Sequence, residues 1–191
     1  MNTSAQRPVR DRFCSYCGAA YPEPLVYPRR CLSPACGMEV WANPIPVCVA
    51  LVPARRGDAR GLLVLRRGIE PRRGLLALPG GFLEAHETWQ QGCARELREE
   101  LDVTIDPATL APFGFVSTAP RPDRVLLFAL APELDLDACA PFTPNHETQE
   151  RGIIVGPDGL DDVFAFPLHV EAARRWFGLR SISGAHGYTV A

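Results

Sequence analysis

The stretch Gly81-Phe82-Leu83-Glu84-Ala85-His86-Glu87-Thr88-Trp89-Gln90-Gln91-Gly92-Cys93-Ala94-Arg95-Glu96-Leu97-Arg98-Glu99-Glu100-Leu101-Asp102-Val103 decides how the rest of the chain is read. Thr88 with Gln91 three residues on is a capping box, which predicts a helix opening at Thr88 and running to about Leu101. At about 100° per residue, with Glu96 at zero, Glu99 falls near −60° and Glu100 near +40°, so the three carboxylates share one face. Cys93, Leu97, Leu101 and Ala94 form a separate apolar stripe suited to packing on a sheet, and Arg98 and Gln91 fall toward solvent. Gly92 sits one turn above the acids. A helix glycine costs about 0.5–1 kcal/mol relative to Ala, so its presence there points to close approach by a metal, a phosphate or backbone.

Like charges one turn apart weaken a helix, and three acids beside the breaker Pro79-Gly80-Gly81 call for a counter-ion. Hard divalent cations with oxygen ligands, Mg²⁺ or Mn²⁺, answer that need; a solvated helix face is the alternative. The flanks favour the cation. The segment resembles the Nudix hydrolase family, whose box is Gly, five residues, Glu, seven residues, Arg-Glu, an aliphatic, any residue, Glu-Glu, any residue, Gly, an aliphatic. Gly81, Glu87, Arg95, Glu96, Leu97, Glu99, Glu100 and Val103 all match. Asp102 stands where the box has Gly, at a helix end where Asp tolerates the left-handed conformation. The resemblance implies a Nudix-type sandwich in which Glu96, Glu99, Glu100 and the carbonyl of Gly80 hold Mg²⁺ or Mn²⁺. It implies Arg95 and Glu87 as a buried pair holding the loop against the helix. It also implies water attack on a diphosphate, with a Glu on a late loop as general base. Glu147 and Glu150, in the long loop before Ile153, both qualify, and the choice stays open.

Upstream of the box, Val47 to Val52 and Leu62 to Leu65 flank the polar turn Arg55 to Gly61 and read as a strand pair. Arg66, Arg67, Arg72 and Arg73 follow; guanidinium forks suit a diphosphate, although a solvated turn needs no such role. Downstream, Phe113 to Val116, Arg124 to Ala131 and Ile153 to Val155 read as strands, and Pro167 to Phe177 as a second helix. This alternation predicts an α/β (α+β) sandwich, and the resemblance implies that it is a mixed-sheet sandwich with flanking helices. The Pro-rich, acidic connection from Pro132 to Arg151 is available to cover a substrate. Phe115, with Trp41 and Phe113, is a candidate for stacking a base or flavin ring, a role that competes with core packing.

Cys14-x2-Cys17-x13-Cys31-x4-Cys36, with Gly18 and Gly37 after the second and fourth cysteines, has the form of a zinc ribbon. The odd total of 7 cysteines argues against a disulfide framework. So short a segment rarely folds without a staple, which gives the Zn²⁺ a structural role. Cys48 and Cys93 lie in apolar contexts and read as small core residues. The chain thus divides into a flexible tail (1–12), a ribbon (13–43), a hydrolase domain (44–180) and a loose C-terminal tail (181–191).

Composition closes off other classes. With 22 acids against 20 bases, bulk charge does not bind this chain to nucleic acid. All 20 bases are Arg, so a lysine Schiff base and a P-loop lysine are excluded. No apolar run reaches the ~18–20 residues of a membrane span, and the first 12 residues lack a signal-peptide core; both point to a cytoplasmic protein.

A ribbon ahead of a Nudix domain resembles two groups: the NADH pyrophosphatases, and the plant FAD and ADP-ribose pyrophosphatases with their bacterial relatives. Val116-Ser117-Thr118-Ala119-Pro120-Arg121-Pro122 lacks the Gln and Trp of the first group's motif, and Leu76 stands where many Nudix proteins have Trp. Ile69-Glu70-Pro71 and Phe164-Ala165-Phe166-Pro167 look like the second group. The expected activity is cleavage of ADP-ribose or FAD to AMP plus a phosphate ester. The alternatives are NAD(H) cleavage, removal of NAD-type RNA caps, and a non-catalytic nucleotide sensor. The expected partner is a small nucleotide, with nucleic acid only as a capped RNA end. The oligomeric state is open, a homodimer included.

Overall fold

The computed structural model describes residues 12–191, so the tail expected over 1–12 lies almost wholly outside the described residues. The chain divides into two units, Met1–Pro44 and Ile45–Ala191. In the first, β1 (Arg29–Arg30) pairs antiparallel with β2 (Glu39–Val40). Its small core is Cys14, Tyr21 and Cys31, with Ala19, Leu25, Cys36 and Val40 packed against them.

The second unit is built on alternation. Its elements are β3 (Ile45–Leu51), β4 (Pro53–Arg56), β5 (Ala59–Arg67), β6 (Leu76–Ala77), β7 (Gly80–Phe82), α1 (Trp89–Leu101), β8 (Ala111–Ser117), β9 (Arg124–Leu130), β10 (Leu134–Asp135), β11 (Thr148–Val155), α2 (Leu160–Val163), α3 (Pro167–Leu179) and β12 (Gly187–Val190). One sheet runs β10-β4-β5-β11-β12, with β6 also on β5; the other runs β7-β3-β9-β8, with β3 and β9 parallel. Successive side chains on a strand point to opposite faces. Cys48, Ala50, Leu63, Leu65 and Ile153 accordingly bury one way, with Cys93, Leu97 and Leu101 of α1. Val49, Leu51, Leu62, Val64 and Ile154 bury the other way, with Ala173, Trp176 and Phe177 of α3. This is a mixed-sheet sandwich with a helix on each side, as the pattern and the resemblance predict.

Three details depart from expectation. The hairpin joins β4 to β5, while Val47 to Leu51 sit in the other sheet beside β9; the chain changes sheets at Val52, the residue between β3 and β4. The supposed loose tail ends in β12, which pairs with β11 from Gly152↔Val190 to Val155↔Gly187. Polar and glycine residues over 181–186 mask the short Tyr188-Thr189-Val190 run, whose residues suit a strand. Finally, β11 begins at Thr148, so Glu150 lies in a strand and only Glu147 remains in the loop.

Candidate active site

α1 starts and stops as its sequence dictates. The Thr88 hydroxyl accepts from the Gln91 N–H (3.3 Å), and the Gln91 side chain accepts from the Thr88 N–H (2.8 Å), completing the capping box. At the other end Asp102 is left-handed (φ 55°, ψ 32°). Gly92 faces side chains of the protein: a Cβ there would lie 2.7 Å from Leu83 Cδ1, 3.0 Å from Cys48 Sγ and 3.0 Å from Glu87 Oε1. The loop before the helix fills that space, which corrects the expected approach of metal, phosphate or backbone.

Arg95 organises the loop. Its Nη2 donates to Glu87 Oε1 (2.9 Å) and to the carbonyl of Phe82 (3.0 Å), and its Nε donates to Glu87 Oε2 (3.2 Å). Glu87 Oε1 also accepts from the Glu84 N–H (2.7 Å). Both side chains are largely buried, and Arg95 holds the Glu87 carboxyl below the usual carboxylate range. Arg95 Nη1 reaches in the other direction, to Glu96 Oε1 (2.8 Å) and Glu99 Oε2 (3.1 Å).

Glu96 and Glu100 are buried, and Glu99 is exposed. Burial pushes Glu100 up to about 8; the Gly80 N–H, 2.7 Å from its Oε2, works against that, and the charges of Glu96 and Glu147 add to it, with Arg67 opposing. Glu96 is likewise raised, first by burial, against Arg95, with Glu99 and Glu147 contributing. Such buried carboxyls are costly to ionise unless a cation joins them. Their donor set, oxygen only, suits Mg²⁺ or Mn²⁺. Gly80, at φ 151°, is a position only glycine fills comfortably: a Cβ would stand 2.2 Å from the Cys48 carbonyl oxygen.

The structure separates the two loop acids. Glu147 is exposed and lies near enough to Glu96 and Glu100 for its charge to bear on both. Glu150 faces another way: its Oε2 accepts from Arg66 Nε (2.7 Å) and from the Tyr188 hydroxyl (3.4 Å). The four arginines separate too. Arg66 is engaged with Glu150 and the Gly74 carbonyl (2.9 Å). Arg67 donates to the Pro71 carbonyl (3.0 Å), lies over the Phe166 ring, and bears on Glu100. Arg72 and Arg73 are exposed on the loop between β5 and β6. Phe115 is 80% exposed on β8, so it is not a core residue, whereas Phe113 packs against the α3-side core. Trp41 belongs to the first unit.

Sequence reasoning passed over His169, on α3, whose Nδ1 accepts from the Leu78 N–H (3.2 Å) just ahead of Gly80. It also passed over Arg151 and Asn145, which serve the C-terminal end of α1 and carry no motif. In the first unit the four cysteine sulfurs lie within 4.8 Å of one another. The Cys14–Cys36 and Cys17–Cys31 sulfurs are 3.8 and 3.5 Å apart. A tetrahedral zinc with ~2.3 Å bonds needs sulfurs about 3.8 Å apart. Cys14 is drawn down to about 6, first by the Tyr16 backbone N–H. Cys31 is helped by the Ser33 N–H but pushed up to about 12 by burial and its neighbouring thiols, a crowding that a shared cation relieves.

The sequence profile of the NUDIX domain matches residues 44–177. Over 96 residues the chain is 34% identical to the NAD-capped RNA hydrolase NudC of Stutzerimonas stutzeri, covering 50% of this chain and 33% of that protein. Over 75 residues it is 32% identical to the ADP-ribose pyrophosphatase of Methanocaldococcus jannaschii, covering 39% and 43%. The matches thus span less than half the length of either relative. The crystal structure of a NUDIX hydrolase from Nitrosomonas europaea superposes with a TM-score of 0.65 at 27% identity, covering 89% of this chain and 92% of that one.

Proposed function

The chain belongs to the NUDIX domain family, and from that premise we propose that its second unit hydrolyses the diphosphate of a nucleoside diphosphate carrying a second moiety. ADP-ribose or FAD is the first substrate class, giving AMP plus a phosphate ester. The observation that carries the reading is the face of α1, where Glu96 and Glu100 are buried with Glu99 beside them and Glu147 bearing on both.

Glu96, Glu99 and Glu100, with the Gly80 carbonyl, are the residues that would hold Mg²⁺ or Mn²⁺. When bound, such a cation supplies Lewis acidity to a diphosphate and neutralises charge that builds in the transition state. The chain's own groups do the rest. Arg67 binds a phosphate oxygen beside Glu100. Glu147, exposed to solvent, takes the proton of the attacking water. Arg95 and Glu87 keep the loop against the helix, so Gly80 stays in reach of Glu100. Arg66, Arg72, Arg73 and Phe115 remain candidates for the outer part of the substrate, with Arg66 and Glu150 acting as a pair. In the first unit the four cysteines hold one structural Zn²⁺. Among the described residues no helix is long and apolar enough to cross a membrane.

The similarity to NudC favours a second reading, cleavage of NAD(H) or of NAD-type RNA caps, with the same acids and the same base. One panel separates the readings: ADP-ribose, FAD, NADH, an NAD-capped oligoribonucleotide and 8-oxo-dGTP with Mg²⁺, products identified by mass spectrometry. AMP from ADP-ribose or FAD at the highest kcat/KM supports the first. Preference for NADH or capped RNA supports the second, preference for the triphosphate refutes both, and no turnover of any substrate refutes hydrolysis.

A further inference from the structure

The loop that carries Glu147 is anchored on the last turn of α1 at three points. Arg151, buried in β11, donates through Nη1 to the Leu101 carbonyl (3.0 Å) and through Nη2 to the Ala140 carbonyl (3.0 Å). Asp102 accepts through Oδ2 from the Thr143 N–H (3.3 Å). Asn145 donates through Nδ2 to the Glu99 carbonyl (2.9 Å). The last carbonyls of a helix have no partner within it; here the Glu99 carbonyl and the capping Asp102 meet the loop directly, and Arg151 of β11 links the Leu101 carbonyl to the loop's Ala140.

Asn145 does more than the other two. Its Oδ1 accepts from the N–H groups of Glu147 (2.9 Å) and Thr148 (2.8 Å), which uses both lone pairs. Its own N–H donates to the Thr148 carbonyl (3.0 Å), and the Glu147 carbonyl accepts from the Gly68 N–H (2.6 Å). One exposed amide therefore closes the turn at Glu147 with its oxygen and grips the acidic helix with its nitrogen. The grip falls on Glu99, on the same helix as Glu96 and Glu100, the two acids on which the charge of Glu147 bears.

We propose that Asn145 is a positioning residue: its amide fastens the Glu147 turn to the helix that carries Glu96, Glu99 and Glu100, and so fixes where Glu147 stands over that face. The inference rests on Glu147 being the base. Its physical content is that the loop behaves as part of the helix and not as a flap. A displacement of about 1 Å in a reacting group costs on the order of a hundredfold in rate. An Asx turn with a purely local role would need the oxygen alone. The contact with Glu99 O is the part a local role leaves unexplained.

The test compares wild type, Asn145→Ala, Asn145→Asp, Glu147→Gln and the Asn145→Asp/Glu147→Gln double variant. It reads kcat and KM at saturating Mg²⁺ on whichever diphosphate substrate of the panel is cleaved, with thermal unfolding as the check on folding. Asn145→Asp keeps an acceptor for both N–H groups and loses the donor to Glu99, so it decides the matter even where Asn145→Ala does not fold. The expected result is a kcat lowered about tenfold to a hundredfold in Asn145→Asp with KM within about twofold of wild type. In the Glu147→Gln background the same change should cost less than about twofold, because the two residues act as one unit. Wild-type kcat in Asn145→Asp, or full additivity in the double variant, overturns the positioning role and leaves Glu147 as base. Full activity in Glu147→Gln overturns the base and this inference with it.

Discussion

His169 should make the second unit acid-sensitive over a defined pH range. Its ring is buried between Phe128 and Phe166, with centroids at 6.3 and 5.1 Å, and its Nδ1 accepts from the Leu78 N–H. Burial, with Arg67 adding to it, pulls it down to about 3, against about 6.5 in an unfolded chain. A depressed folded value means that the stabilisation is complete above about pH 6.5 and is lost as the unfolded state takes up a proton the fold refuses. The slope is about 1.4 kcal/mol per pH unit between about 6.5 and 3, so lowering the pH from 7.5 to 4.5 should remove about 3 kcal/mol through this one group. That is a large share of the ~5–15 kcal/mol that holds a domain together. The perturbation is His169→Asn, which keeps an acceptor for Leu78 and cannot titrate. Urea denaturation followed by tryptophan fluorescence at both pH values gives the comparison, and other titrating groups cancel in the difference. Wild type should lose about 3 kcal/mol more than the variant across the range. Equal losses would refute the burial of a neutral imidazole beneath the Leu78 to Gly80 segment.

Glu150→Gln should retain most of kcat while loosening the Arg66 and Tyr188 contacts, whereas Glu147→Gln should lose kcat by about a hundredfold; steady-state kinetics of the two variants side by side decides this, and the reverse order would reassign the base. Metal analysis of freshly purified, reduced protein should find one zinc per chain, and Cys14→Ser should lower that content and the unfolding temperature more than kcat. Asp102→Asn should be close to neutral in stability, since Asn tolerates φ 55° and keeps an acceptor for Thr143. Asp102→Ala should cost about 1–2 kcal/mol in denaturant melts, from backbone strain and the lost bond together.

Much of the site was legible because the helix imposes its own arithmetic. A period of 3.6 placed Glu96, Glu99 and Glu100 together and Cys93, Leu97 and Leu101 on the core side, and Thr88 and Gln91 marked the helix start. What the pattern could not carry was long-range pairing. Nothing local distinguishes Glu147 from Glu150; the difference lies in Arg66 and Tyr188, brought from β5 and β12 to Glu150 alone. Gly92 was correctly marked as a close approach, but the partners, Leu83, Cys48 and Glu87, come from the loop and β3. Asp102 looked like a blemish in the box and proves to be an anchor for Thr143. The strand order was hidden for a related reason: an apolar run states that it is buried, and only the β3–β9 register states beside what.

The central claim, that the acidic face of α1 works through a divalent cation on a diphosphate, is tested most directly by Glu100→Gln. Gln keeps the shape of the carboxyl that the Gly80 N–H contacts, and Glu100 is already pushed toward its neutral form, so the fold should survive with no loss of unfolding temperature. Turnover of ADP-ribose or FAD with saturating Mg²⁺ should fall by about a thousandfold or more, and wild type in EDTA should fall with it. A Glu100→Gln protein that cleaves these substrates at the wild-type rate, or a wild type fully active in EDTA, would contradict the account.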